Sequence, residues 1–305
     1  MLCIRDLSVR FSSTGDIYAI QGLDMDVQAG KNTVLLGETG SGKSVLLLSI
    51  LRLLPGTAAI EGGIVFDGRN LLALSQKEMT AVRGAEIAYV PQGGGSSMNP
   101  LMKTGYQVGE PLMEHRNYRK KDAVRKSISL LRRFQLGREE QLIHAFPHTL
   151  SGGMRQRVLI AMGIAAGASL ILADEPTKGL DDERIQTVID CFLGLAGKTL
   201  LCVSHDIAFA RKIADKVCVM YASRAVEQSD GDKFFDEPLH PYSKALLLAQ
   251  TQLRCEIGFA PPKMAPGDCG CLFYPYCANR MGRCLEPPPM ISTNGRKVMC
   301  WLYAD

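Results

Sequence analysis

The chain has 305 residues, 46% hydrophobic and 22% charged, the balance of a soluble globular protein long enough to bury a sizeable core. Its net charge of +4 is small for this length and gives no case for a nucleic-acid partner. The start, "MLCIRDLSVRF", lacks the charged-then-apolar layout of a signal peptide, so the chain is read as cytosolic. Its ten cysteines then argue for free thiols or metal rather than structural disulfides.

In chain order, the opening alternates as a strand, and "NTVLLGETGSGKSVLLLSILRLL" reads as strand, glycine-rich turn and helix. "GGIVFDG" (62–68) is a strand closed by an Asp-Gly turn, 76–84 reads as helix, and "EIAYVPQ" (86–92) as a buried strand. The glycine-rich loop "GGGSSMNP" (93–100) precedes mostly helical sequence to about 147, where "HRNYRKKDAVRK" (115–126) reads as a solvated helix face. "VLIAMGIAAGASLILA" (158–173) spans 16 residues, too few to cross a bilayer core, and reads as a helix-to-strand break. "SLILADEP" (169–176) and "TLLCVSHD" (199–206) have the pattern of buried parallel strands whose C-terminal ends carry chemistry. "KVCVMYASRAVEQ" reads as a hairpin. After about 236 prolines become frequent, and six of the ten cysteines fall between 255 and 300.

The chemistry concentrates at a few points. "GETGSGKS" (Gly37, Glu38, Thr39, Gly40, Ser41, Gly42, Lys43, Ser44) matches a complete phosphate-binding loop in its required strand–turn–helix setting. Its glycines let backbone N–H groups face phosphates, Lys43 neutralises them, and Ser44 ligates Mg²⁺. Asp174, ending an apolar strand, is placed to hold Mg²⁺ and Glu175 to orient or deprotonate an attacking water; a helix cap before Pro176 is the plainer alternative. His205 and Gln92, each at a strand end, are candidate γ-phosphate contacts. A second loop, "LSGGMRQR" (150–157), offers another serine and two glycines ahead of a basic helix-forming run, so a chain that already has one nucleotide loop carries two.

Together these residues resemble the nucleotide-binding subunits of ATP-binding cassette (ABC) transporters. "GETGSGKS", Gln92, "LSGGM", "LILADEP", "KGLD" and His205 stand in that family's order and approximate spacing over residues 1 to about 230. The resemblance implies an α/β P-loop ATPase: a parallel-sheet core, an antiparallel β portion, and a helical insert at about 95–160. It implies that Ser151, Gly152 and Gly153 contact the γ-phosphate of ATP held by a second ATPase subunit, with Asp181 at the dimer interface. Phe11 is the candidate for stacking on adenine, with Tyr18 the alternative. Two transmembrane permeases, an extracytoplasmic solute-binding protein and a place on the cytoplasmic face of the membrane are likewise implied.

"EPLHPYSKALLLA" (237–249), "GCLFYPYC", "MGRC" and "EPPPM" are similar to the segment after the ATPase core in peptide and nickel importers. The division is therefore 1–235 for the ATPase domain and 236–305 for the extension. The resemblance implies peptide import, with nickel or a metal chelate the alternative; a soluble ABC ATPase of DNA repair or translation ranks below both. It also implies Cys271, Cys277, Cys284 and Cys300 as ligands of a [4Fe–4S] cluster, Zn²⁺ or plain thiols being the alternatives. Their spacing, C-x5-C-x6-C-x15-C, contains no close pair, and Cys269 could substitute. Two departures stand out: "GGGSSMNP" follows Gln92 where the family has an acidic residue or Asn and then Pro, and Lys178 replaces a small or hydroxyl residue.

Overall fold

The computed structural model describes residues 1–11, 17–93, 97–195, 197–249 and 270–304. The first half of the chain runs β1 (Leu2–Phe11), β2 (Ile17–Val27), β3 (Asn32–Leu36), α1 (Lys43–Ile50), β4 (Ala58–Phe66), β5 (Arg69–Asn70), α2 (Gln76–Val82), β6 (Ile87–Val90), α3 (Thr104–Arg116), α4 (Lys120–Arg132) and α5 (Glu139–Leu142). The second half runs α6 (Gly152–Ile164), β7 (Leu170–Asp174), α7 (Asp182–Leu193), β8 (Thr199–Val203), α8 (Ile207–Ile213), β9 (Lys216–Tyr221), β10 (Arg224–Asp230), α9 (Gly231–Asp236), α10 (Pro241–Leu248), β11 (Met290–Thr293) and β12 (Arg296–Met299). No described helix is long and apolar enough to cross a membrane: the apolar run at 158–173 is, as read, the end of α6 and the start of β7. These elements fall into two units, Met1–Asp26, Thr33–Asn70 and His205–Asp305 in the first, Val27–Asn32 and Leu71–Ser204 in the second.

In the first unit an antiparallel sheet is ordered β2-β1-β4-β5, with Leu2 opposite Phe66. Asp67 and Gly68 close the β4–β5 hairpin with positive φ (45° and 80°), the mirror-image turn whose twist matches that of the flanking strands. β9 and β10 form the expected hairpin, although its turn residues, Ala222 and Ser223, adopt positive φ without a glycine. β3 pairs parallel to β9, and β12 and β11 add to the free side of β10 in the order β11-β12-β10-β9-β3. The extension therefore contributes two strands of its own, joined by an Asn294-Gly295 turn at φ 50° and 76°. Leu239, Val298 and Cys300, with Ile291 and Tyr303 against them, make its small core.

A buried carboxylate fastens that extension. Glu227 on β10 is fully buried and accepts from the backbone N–H groups of Leu239 (2.9 Å) and His240 (2.8 Å) and from the Arg296 guanidinium (3.3 Å), itself 6% exposed. Removing one partner of such a pair leaves an uncompensated buried charge, at a cost of about 3–5 kcal/mol. Glu227→Ala is therefore expected to lower the thermal midpoint by several degrees, and an unchanged midpoint in a melting experiment refutes this account of the fastening.

In the second unit β8, β7 and β6 run parallel, with Ile171 opposite Leu200 and Ala88 opposite Ile171. All five residues of β7 and all five of β8 are buried, as strands covered on both faces must be. The expected helical insert is α3 to α6. Its basic run, 115–126, is a solvated face: it is exposed apart from buried Ala123 and half-buried His115 and Val124. Arg157 of α6 is buried and donates to the carbonyls of Phe134 (2.7 Å) and Gln135 (3.2 Å), so it ties α6 to the turn that follows α4.

Candidate nucleotide-binding site

In the first unit the buried strand β3 delivers the chain into the glycine loop, and α1 starts at Lys43. Two glycines here are required by space as well as by backbone angle. Gly37 (φ 145°) and Gly42 (φ 100°) approach the carbonyl oxygens of Met220 and Ala19 so closely that a Cβ would lie 2.1 and 2.2 Å from them. No side chain caps α1, and its N-cap is Gly42, an arrangement suited to an anion at a positive dipole end. Lys43 is 5% exposed; its Nζ donates to the carbonyls of Gly37 (2.8 Å) and Glu38 (2.6 Å) and to Ser41 Oγ (3.2 Å). The loop thus holds the ammonium group at its own centre, while Ser44 is half-buried in the first turn.

His205, half-buried, precedes α8, whose N-cap Asp206 accepts from Phe209 N–H at 2.9 Å. Phe11 closes β1 opposite Ala58 and is half-buried. Tyr18 is 36% exposed and immediately precedes Ala19, whose carbonyl abuts Gly42.

The second unit carries two adjacent carboxylates at a strand end. Asp174 ends β7 at 3% exposure, and Glu175 follows in the left-handed region (φ 45°), an arrangement that costs a non-glycine residue about 1–3 kcal/mol. The Glu175 N–H is tied to the carbonyl of Val203 at 3.0 Å. One of its carboxylate oxygens, Oε2, accepts from Gln92 Nε2 at 2.7 Å and lies 3.4 Å from Lys178 Nζ. Gln92 and Glu175, read as separate site residues, are in direct contact. Lys178, noted only as a departure, lies on the same carboxylate.

The pair Asp174 and Glu175 makes this strand end electronegative. Burial first, and Asp174 second, push the Tyr89 hydroxyl up to about 12. The Cys202 thiol is driven up in the same way by burial and then by both carboxylates. The carboxylate oxygens of Asp174 and Glu175 are hard donors of the kind that a divalent cation such as Mg²⁺ takes.

The serine-glycine loop opens α6. Ser151 and Gly152 are exposed, and Ser151 Oγ caps the helix by accepting from Met154 N–H (3.3 Å). Asp181 does the same for α7, accepting from Arg184 N–H (3.0 Å) and pairing with the Arg184 guanidinium. Gln156, which the sequence reading passed over, donates from Nε2 to the carbonyl of Pro176 at 3.1 Å, joining the serine-glycine helix to the turn after Glu175. Of the glycine-rich loop after Gln92, residues 94–96 lie outside the described residues, as does Cys269.

Cys271, Cys277, Cys284 and Cys300 line one cavity together with His240 and Trp301. The Cys271 N–H donates to the Cys284 carbonyl at 2.8 Å. Burial pushes the thiols of Cys271 and Cys277 up and that of Cys300 up to about 11, so they are neutral at physiological pH. Among the described residues no three His, Cys, Asp or Glu side chains are disposed to hold one metal ion.

A capless helix behind a glycine loop with a central lysine, and a buried strand-end aspartate followed by a glutamate, are the parts of a P-loop ATPase. Residues 20–178 match the ABC transporter family model, and residues 226–284 match the model for the oligopeptide/dipeptide transporter C-terminal region. The oligopeptide transport ATP-binding protein AppD of Bacillus subtilis is 34% identical over 97% of this chain and 94% of its own length. The oligopeptide transport ATP-binding protein OppD of Escherichia coli is 35% identical over 99% and 93%. Among solved structures, the dimeric post-hydrolysis state of the ATP-binding cassette MJ0796, bound to ADP and Pi, superposes with a TM-score of 0.68 at 27% identity. That match covers 75% of this chain and 98% of that one. The chain belongs to the ABC transporter ATP-binding subunits and is an ATPase.

Proposed function

We propose that this chain hydrolyses ATP to drive the import of di- or oligopeptides through separate membrane permeases. The observation that carries the peptide reading is that the likeness to oligopeptide and dipeptide transport subunits runs through the extension as well as the ATPase core. Those same relatives disfavour nickel as the cargo. The functional partners are a second ATPase subunit, two permeases and a solute-binding protein, which place the chain on the cytoplasmic membrane face. Reconstituted with permeases and solute-binding protein, its ATPase should be stimulated by peptide-loaded binding protein. Stimulation by a nickel-loaded protein instead would overturn the cargo assignment.

In this reading Lys43 neutralises the β- and γ-phosphates, and Ser44 and Asp174 are the Mg²⁺ ligands; bound there, the ion would screen charge on the phosphates. Glu175 orients or deprotonates the attacking water, Gln92 fixes the Glu175 carboxylate, and His205 contacts the γ-phosphate. Phe11 stacks on adenine, with Tyr18 the alternative. Ser151, Gly152 and Gly153 serve the ATP of the partner subunit, and Asp181 lies at that interface, which accounts for two nucleotide loops in one chain. Ser151→Ala should therefore impair hydrolysis while leaving ATP binding by the isolated chain unchanged, apart from a helix-cap loss of about 1 kcal/mol in stability. Loss of binding by the isolated variant would show that the loop serves its own chain's nucleotide.

We further propose that these four cysteines, as the resemblance implies, hold a metal cross-link in an extension with little core of its own, an iron–sulfur cluster before Zn²⁺. The thiols would have to deprotonate and close in on one centre. Protein purified without oxygen should then be brown, with about four irons per chain for a cuboidal cluster. Stoichiometric zinc in colourless protein would transfer the ligands to Zn²⁺, and absence of both metals would leave thiols alone.

A further inference from the structure

The phosphate loop has a support that the ATPase motifs do not include. The backbone N–H of Glu38 donates to the phenolic oxygen of Tyr242 at 3.1 Å, and Tyr242 is fully buried on α10, in the extension, 204 residues away in sequence. That N–H belongs to the peptide unit linking Gly37 to Glu38. The carbonyl of the same unit, that of Gly37, accepts from Lys43 Nζ at 2.8 Å. A peptide unit is planar, so holding its N–H side fixes the direction of its carbonyl side. We propose that Tyr242 is a positioning residue for the phosphate loop, and that the carboxy-terminal extension is thereby a working part of the ATP site. This rests on the reading of Gly37–Ser44 as the nucleotide loop.

The sequence His240-Pro241-Tyr242 builds this strut. Pro241 occupies the first turn of α10, where its missing N–H costs nothing. His240 is the N-cap, its Nδ1 accepting from Tyr242 N–H at 3.0 Å, and its own N–H is bound by the buried Glu227. Burial lowers the pKa of His240 to about 3, against an opposing bond to the Met299 backbone, so the imidazole is neutral and Nδ1 stays an acceptor at working pH. The Tyr242 ring is then set between Tyr221 (centroids 4.5 Å apart) and Phe273 (5.6 Å, edge-on). Phe273 is 3% exposed and stands two residues after Cys271, so the rings connect the cysteine-lined cavity to the loop. Tyr221 ends β9, whose Met220 carbonyl already excludes a side chain at Gly37. Two successive loop residues, 37 and 38, are thus braced from the far side by residues 220 and 242.

Tyr242→Phe tests the strut, because it removes one hydroxyl and keeps the rings. A single hydrogen bond of this kind corresponds to about a fivefold change in affinity, so the dissociation constant of Mg-ATP should rise about fivefold. The rate at saturating ATP should stay within about twofold, and hydrogen exchange at the Glu38 amide should accelerate. An unchanged ATP affinity in folded Tyr242→Phe overturns the proposal. If Tyr242→Phe does not fold, exchange in the unmodified chain decides: a Glu38 amide as unprotected as that of exposed Gly40 refutes the strut. Lys43→Ala in the same titration separates the two readings. Retained binding there refutes the nucleotide loop itself; lost binding there, with unchanged Tyr242→Phe, refutes the strut alone.

Discussion

Glu175→Gln is expected to slow ATP hydrolysis about 10²–10⁴-fold, the range for removing a general base, while leaving ATP binding intact. The substitution is close to isosteric, so the left-handed backbone at 175 and its N–H tie to the Val203 carbonyl should persist. A glutamine oxygen can still accept from Gln92, whereas the ion pair with Lys178 is lost. With binding retained and the water no longer activated, two chains closed on ATP should remain closed. Phosphate release at steady state and size-exclusion chromatography in the presence of ATP read the two effects separately. Turnover near that of the unmodified chain would remove Glu175 from the role of base.

Lys43→Ala should weaken ATP binding by about 10- to 150-fold, the loss corresponding to one hydrogen bond to a charged group at about 1.5–3 kcal/mol. The ammonium group is buried among the carbonyls of Gly37 and Glu38, so its removal takes away the loop's internal donor as well as the counter-charge proposed for the phosphates. The variant should therefore bind less and also show faster hydrogen exchange across residues 37–42. Titration of the isolated chain with a fluorescent ATP analogue measures the first effect. An affinity equal to that of the unmodified chain would show that the lysine does not meet the phosphates.

Much of this was legible in the sequence because the signals are local. β7 and β8 are short runs of apolar residues ending in acids and a histidine, and burial on both faces follows from composition alone. The phosphate loop announces itself through glycines that the Met220 and Ala19 carbonyls make obligatory. The Gln92–Glu175 and Lys178–Glu175 contacts were less accessible. The first joins residues 83 apart, and the second required knowing that the chain turns back on itself directly after Glu175. The β11–β12 hairpin carried a clear mark, Asn294-Gly295, but it stood among prolines and cysteines that suggested irregular chain. Tyr242 shows no local sign of its role, because nothing near it refers to a loop 204 residues earlier.

The addition of β12 to β10 also bears on solubility. An unpaired strand edge presents a row of N–H and C=O groups on which another chain can pair, and proteins guard such edges. Here Glu227 and Gln228 of β10 lie opposite Val298 and Lys297, and the strand left outermost, β11, is only four residues long. A chain cut after α9 would bare the β10 edge together with the apolar surface around Val226. It would tend to stick to its own kind before any question of nucleotide arose.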